Sequence, residues 1–191
     1  MNGDSVWYTR NGDIVTMHVT AKIFNNSSDN INMARAAKDI VSDIKSTYEG
    51  KFEWSDNKTY NLKVDMDLKV ATSMKDVENS DHLFVLADSD SKGARGATSM
   101  LGGKVMTLAS SDFANNNWLS NNLSYNKTFT AAHEFGHAIG LSHSQNPFNI
   151  MKQGGVVHNS NSNQRVIMLQ QQNNLNNNLV VDIYNLGLKW R

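Results

Sequence analysis

The chain holds six histidines, and three of them fall between residues 133 and 143, which read His-Glu-Phe-Gly-His-Ala-Ile-Gly-Leu-Ser-His. In a helix, His133 and His137 stand four positions apart and project from one face. One helical turn rises about 5.4 Å, so both imidazoles can reach a single ion at about 2.0–2.1 Å, the zinc–nitrogen distance. Glu134 lies beside His133 and can touch a water on that ion without ligating it. Gly140 stands where the helix has to stop, because glycine accepts the positive φ that ends a helix. The chain can then turn and bring His143 to the ion from a third direction. Three neutral imidazoles with one position left open describe a catalytic zinc site, whereas a structural site is closed by four protein ligands.

The chemistry that such a site serves is hydrolysis. Glu134 would take the proton of an attacking water and pass it to the leaving amine. A bound zinc lowers that water's pKa from 15.7 toward about 7 and polarises the carbonyl under attack. A bare His-Glu-x-x-His recurs by accident; Gly140 and His143 at fixed offsets make the pattern specific. Met151 follows the third histidine. The chain has nine methionines, and only this placement separates Met151 from an ordinary core residue.

From His133 to Met151 the sequence resembles the metzincin clan of zinc endopeptidases, with Met151 in the place of the Met-turn methionine. Within the clan it is most similar to the matrixin branch, whose path from third ligand to Met-turn the run His143–Met151 follows. The resemblance implies an α/β (α+β) fold: a mixed twisted sheet with a backing helix and a zinc helix, then a small C-terminal lobe with the Met-turn and a helix. It implies one metallopeptidase domain over 1–191, with an upper lobe of about 1–140 and a lower lobe of about 141–191. Its site residues are His133, His137 and His143 for one zinc and Glu134 as general base, with Met151 as an apolar floor under the imidazoles. Some family features have no counterpart. No Tyr follows Met151, since Lys152, Gln153 and Gly154 do. An Asp pair is not recognisable in Val166–Gln172. The chain has no cysteine, hence no cysteine-switch propeptide. His18 and His82 stand alone, so the cluster holding a second, structural zinc is missing. The likeness is to a minimal matrixin-like domain of bacterial type.

Charge and hydropathy narrow the partners. Eighteen basic and eighteen acidic residues cancel, which removes the electrostatic case for nucleic acid or an anionic membrane. No apolar run approaches a membrane span. The start, Met-Asn-Gly-Asp-Ser-Val-Trp, lacks the features of a signal peptide. That leaves a cytosolic protein, a mature domain cut from a longer precursor or a piece of a larger secreted protein; a secreted or extracellular mature domain is the expectation. A monomer acting on protein or peptide substrate is expected.

The elements that must position the site follow from periodicity. Asp13–Phe24 alternates as a strand, and Asn25–Asn30 is a turn cluster. Ile31–Tyr48 carries a helical apolar stripe closed by Gly50. Leu62–Ala71 alternates strictly, His82–Ala87 reads as a buried central strand, and Lys104–Ser110 is another strand. The zinc helix is predicted over Phe129–Ile139 with Thr128 as N-cap. Gly93–Gly103 is, by the resemblance, an antiparallel edge strand rimming the cleft, where unpaired backbone groups can bind an extended peptide. Asp88-Ser89-Asp90 suits calcium in principle, but a solvated loop explains it as well and calcium is unsupported. Gly154–Asn159, with Val156, Val157 and His158, is expected to wall an apolar pocket for the residue after the scissile bond. A helix over Asn163–Leu175 and an apolar tail, Leu179–Leu188, complete the chain.

Three functions remain open on these grounds: a secreted zinc endopeptidase, the same domain as a proteolytic toxin released from a larger secreted protein and restrained by a proteinaceous inhibitor, or a non-catalytic zinc-binding module. Glu134 argues against the last, since a mere binding module has no use for a base beside His133.

Overall fold

The computed structural model describes residues 5–53, 58–88, 96–114, 124–145 and 150–152. The strands are β1 (Val6–Asn11), β2 (Ile14–Asn25), β3 (Gly50–Glu53), β4 (Thr59–Val70), β5 (His82–Ala87), β6 (Gly96–Thr98) and β7 (Val105–Ala109), and the helices are α1 (Met33–Tyr48) and α2 (Ser124–Ala138). The strands form one sheet in the order β3-β4-β2-β5-β7-β6, with β1 also on β2. β2 is long enough to be shared along one edge: β1 pairs antiparallel with Ile14–Val19, and β5 pairs parallel with Ala21–Asn25. β4 lies parallel along its other edge, β7 runs parallel to β5, and β6 closes that end antiparallel to β7. This is the mixed α+β sheet expected, with the parallel strands central and the antiparallel ones outermost.

Strand alternation decides which face is covered. Val15, Met17, Val19, Ala21 and Ile23 of β2 are buried, as are Tyr60, Leu62 and Val64 of β4. They meet Ala36, Ala37, Ile40, Ile44 and Tyr48 of α1 and Ala131, Ala132, Phe135 and Ala138 of α2 in one apolar core. Small residues let the two helices approach closely. Where they meet, the Tyr48 hydroxyl donates to the carbonyl of Ala132 at 2.7 Å, and the Tyr48 and Phe135 rings pack edge to face at 5.7 Å. Burial pushes the Tyr48 hydroxyl well above its ordinary pKa, so it remains a donor.

Several expectations are corrected. β1 and β3 were not expected; β1 returns to β2 through Gly12–Asp13, with Gly12 at φ 62°. α1 begins at Met33, where the Asn32 side chain accepts from the Arg35 N–H at 3.0 Å, and it ends in extended backbone at Glu49. Gly50 therefore opens β3 and does not cap the helix. α2 starts at Ser124, so Thr128 lies within the helix and is not its N-cap; no breaker interrupts Ser124–Thr128. His18 and His82 join no second group of metal-ligating side chains among the described residues, but both have other partners. His18 is stacked on Trp7 at 5.2 Å and bonded to Asp65 and Thr9, with both ring nitrogens engaged. The central position of β5 and the antiparallel edge position of β6 are as expected. The pocket segment 154–159, the helix 163–175, the tail 179–188 and Ser89-Asp90 of the calcium candidate lie outside the described residues.

His82, at the start of β5, is 5 % exposed. Its Nδ1 bonds to the Ser5 hydroxyl, and its ring packs against Phe135 at 6.2 Å. Burial, helped by Lys104, lowers its pKa to about 4. Below the ordinary value of about 6.5 the unfolded chain takes up a proton that the folded chain refuses, so stability falls with pH between about 6.5 and 4. At about 1.4 kcal/mol per pKa unit the full loss is roughly 3 kcal/mol. Urea unfolding with chelator present should therefore show a smaller loss from pH 7 to 4.5 in His82→Gln than in the unsubstituted chain. Equal losses would assign the acid sensitivity to other groups.

Candidate metal centre

His133 and His137 leave successive turns of α2, as their spacing dictates, and the helix ends just beyond them. The Leu141 N–H bonds to the Gly136 carbonyl at 2.8 Å and the Gly140 N–H to the His137 carbonyl at 3.0 Å. With Gly140 at φ 97°, this is the Schellman arrangement, which only a residue tolerant of the left-handed region can complete cheaply. The turn throws the chain back along the helix end and brings His143 to the other two rings. The His137 and His143 rings lie 4.6 Å apart, His133 and His137 4.7 Å, and His133 and His143 5.5 Å.

The nitrogen atoms show what the cluster can hold. His133 Nδ1 donates to the carbonyl of Ile150 at 2.6 Å, and His137 Nδ1 donates to that of Leu141 at 2.7 Å. A carbonyl only accepts, so each ring carries its proton on Nδ1 and turns a bare Nε2 lone pair inward. His137 Nε2 and His143 Nε2 are 3.1 Å apart. Two nitrogens on one tetrahedral zinc stand about 3.3 Å apart, given bonds of about 2.0–2.1 Å. One ligand atom from each of the three histidines lies within 4.8 Å of the others, and among the described residues no other group of His, Asp or Glu gathers in this way. Burial, opposed in part by the bond to Ile150, holds the His133 pKa below its ordinary value. The neutral ring that a metal needs is therefore the favoured one. The residues fit a zinc ion.

Glu134 and Met151 both lie close to the triad. Glu134 is 6 % exposed, next to the first ligand but not among the clustered nitrogens. The segment Ile150–Lys152 returns beneath the helix: Ser144 donates to the Met151 carbonyl at 2.8 Å, and Ile150 supplies the acceptor for His133. Met151 is buried and packs against Gly136, which puts its thioether under the helix turn between the first two ligands.

Two contributors were not legible as such. Gly136 falls at a position to which the motif assigns no role, yet a Cβ there would collide with Met151 Sδ and stand 2.7 Å from the Tyr48 hydroxyl oxygen. The available signal was a glycine in a helix interior, which costs about 1 kcal/mol and calls for a packing reason. Thr98 of β6 donates to Glu134 Oε2 at 2.6 Å, and nothing in the local sequence marks it.

Two histidines on a helix and a third just beyond its end, with a carboxylate beside the first and the edge strand of a mixed sheet against it, define a metallohydrolase centre. The matrixin family model matches residues 7–173, and the chain belongs to this family of zinc metallopeptidases. Among solved structures, an archaemetzincin from Methanopyrus kandleri is similar at 13% identity and a TM-score of 0.43, over 80% of this chain and 95% of that one. An archaemetzincin from Archaeoglobus fulgidus, complexed with malonate, is similar at 16% identity and a TM-score of 0.38, over 77% and 91% of the two chains. No curated protein matches.

Gly136 supplies a test of how the helix is held. At an open helical position, glycine to alanine stabilises by about 1 kcal/mol. At Gly136 the added methyl meets the sulfur of Met151 and the oxygen of Tyr48, so Gly136→Ala should lower the melting temperature and weaken zinc retention. Thermal unfolding with and without zinc measures both. A raised melting temperature would show that the contact with Met151 is slack.

Proposed function

We propose that the chain is a zinc-dependent endopeptidase in which His133, His137 and His143 hold the metal and Glu134 is the general base. The observation that carries this reading is the site's division of labour. Three inward nitrogen donors gather at the helix end, and a buried carboxylate that is not part of the cluster sits one residue from the first of them.

When bound, zinc supplies Lewis acidity, which polarises a scissile carbonyl and makes water a competent nucleophile near neutral pH. The protein's own residues do the rest. The bonds from His133 to Ile150 and from His137 to Leu141 fix ring orientation and tautomer, so the donors are set before the metal arrives. Glu134 accepts the proton of the attacking water and returns it to the leaving nitrogen, and burial keeps bulk water from competing for that proton. Among the described residues β6 has no strand on its outer edge. An extended peptide can pair with that edge and lie across the ligands, a mode that demands little of substrate sequence. A binding site open along a strand edge does not require a chain terminus, and this supports endopeptidase action.

Two substitutions test the assignment. Glu134→Ala should keep its zinc and its melting temperature while cleavage of an unfolded protein such as casein falls by about 10²–10⁴, the usual worth of a positioned general base. Undiminished cleavage would end that role for Glu134. His143 is exposed and lies past the helix, so His143→Ala should weaken zinc binding far more than it lowers stability. Zinc titration beside urea unfolding compares the two, and unchanged zinc affinity would remove His143 from the ligand set.

A further inference from the structure

Successive side chains of a strand point to opposite faces. Gly96 and Thr98, the two ends of β6, therefore face the same way, and that way is toward α2. Thr98 Oγ1 lies 2.6 Å from Glu134 Oε2 and 3.0 Å from the Glu134 carbonyl oxygen. A hydroxyl has one proton, so Thr98 donates to one of the two. The carboxylate is the better acceptor, and 2.6 Å is the length of a charge-assisted O–H···O⁻ bond. Gly96 does something different. A Cβ at that position would stand 2.8 Å from Glu134 Oε1, 2.9 Å from its Cγ and 2.5 Å from Thr130 Cγ2. The absent side chain leaves room for the carboxylate and keeps Oε1 uncovered. Among the described residues Oε1 receives no hydrogen bond.

We propose that Thr98 is the positioning residue of the general base, tying Oε2 so that Oε1 is the atom left to take the proton of water. The proposal rests on the reading of Glu134 as that base. β6 then has two roles: its outer edge offers backbone groups to the substrate, and its inner face aims the carboxylate. The anchor is itself stiff. Thr98 pairs with Met106 in the β6–β7 ladder, and a β-branched side chain has little freedom about χ1. A glutamate has three side-chain torsions to fix, and one short bond from a fixed strand removes much of that freedom before substrate arrives.

The bland alternative is that Thr98 only ties β6 to the helix through the Glu134 carbonyl. The two roles separate in kinetics. Thr98→Val and Thr98→Ser would be made in the unsubstituted zinc enzyme and in Glu134→Gln, and assayed on a fluorogenic peptide with zinc content and urea stability measured alongside. Partners that orient site groups are worth about 10- to 100-fold. Thr98→Val should lower kcat by about that factor, with KM and zinc content nearly unchanged, and Thr98→Ser should recover most of it. In Glu134→Gln the same Thr98→Val change should have little further effect. A crystal structure of the zinc-loaded Thr98→Val enzyme should show Glu134 in a different or divided rotamer. Unchanged kcat, a loss confined to KM, equal losses in both backgrounds, or an unmoved Glu134 would each overturn the positioning role while leaving Glu134 as the base. Near-normal activity of Glu134→Gln alone would instead overturn the reading of the base on which the proposal rests.

Discussion

The contact on which the site depends lies under the last turn of α2, where the helix backbone at Gly136 comes against the sulfur of Met151 and the hydroxyl of Tyr48. Gly136 sits between the two ligands on the helix, so whatever fixes its height fixes theirs. From one side Tyr48 reaches over from α1 and bonds to the Ala132 carbonyl, one turn earlier. From the other, the strip Ile150–Lys152 comes up beneath and gives His133 its acceptor. A side chain at residue 136 would push both neighbours away and loosen the helix from the sheet and from the strip below it. Interiors are close-packed, so such a shift is not absorbed locally.

That one contact explains why residues far apart in the chain act on the same geometry. The carbonyls of Ile150 and Leu141 decide which nitrogen of His133 and His137 carries the proton. Both lie beyond the helix, and both are held by backbone bonds that the Schellman turn and the bridge between Ser144 and Lys152 create. The tautomers of the ligands are therefore set by how the chain leaves the helix. A change in the turn at Gly140 would disturb the third ligand directly and the second through its lost acceptor.

How far the sequence could be read follows the range of the forces involved. β5 was read to the residue because a central strand covered on both faces must be largely apolar, and Leu83–Ala87 is, with His82 the buried polar residue at its start. α1 was legible from its stripe, since its buried positions recur at helical spacing. β1 was missed because its only buried residue is Tyr8; an edge strand takes its identity from the ladder to β2, which local composition does not encode. The start of α2 was placed late because Ser124–Thr128 carries no clear apolar stripe to announce a helix. At the centre itself the three histidines and Glu134 were legible because helix periodicity and one glycine turn are local. The Thr98 contact was not, since it joins residues 36 positions apart through the packing of a strand on a helix.

The division of the site between a helix and an edge strand also constrains what the sheet can be. Ligands on a helix keep fixed separations, because successive turns are tied by backbone hydrogen bonds and the helix is clamped from both sides. In the proposed binding mode a peptide is admitted along the edge of β6, which among the described residues has no strand on its outer side, and an open edge invites association with other strands. β6 is three residues long, short enough to limit that hazard. Its neighbour β7 runs parallel to β5 deep in the sheet, so the short strand rests on a rigid one. Brevity at the rim and rigidity behind it are both required if one strand is to receive an extended chain on its outer side and hold Glu134 on its inner face.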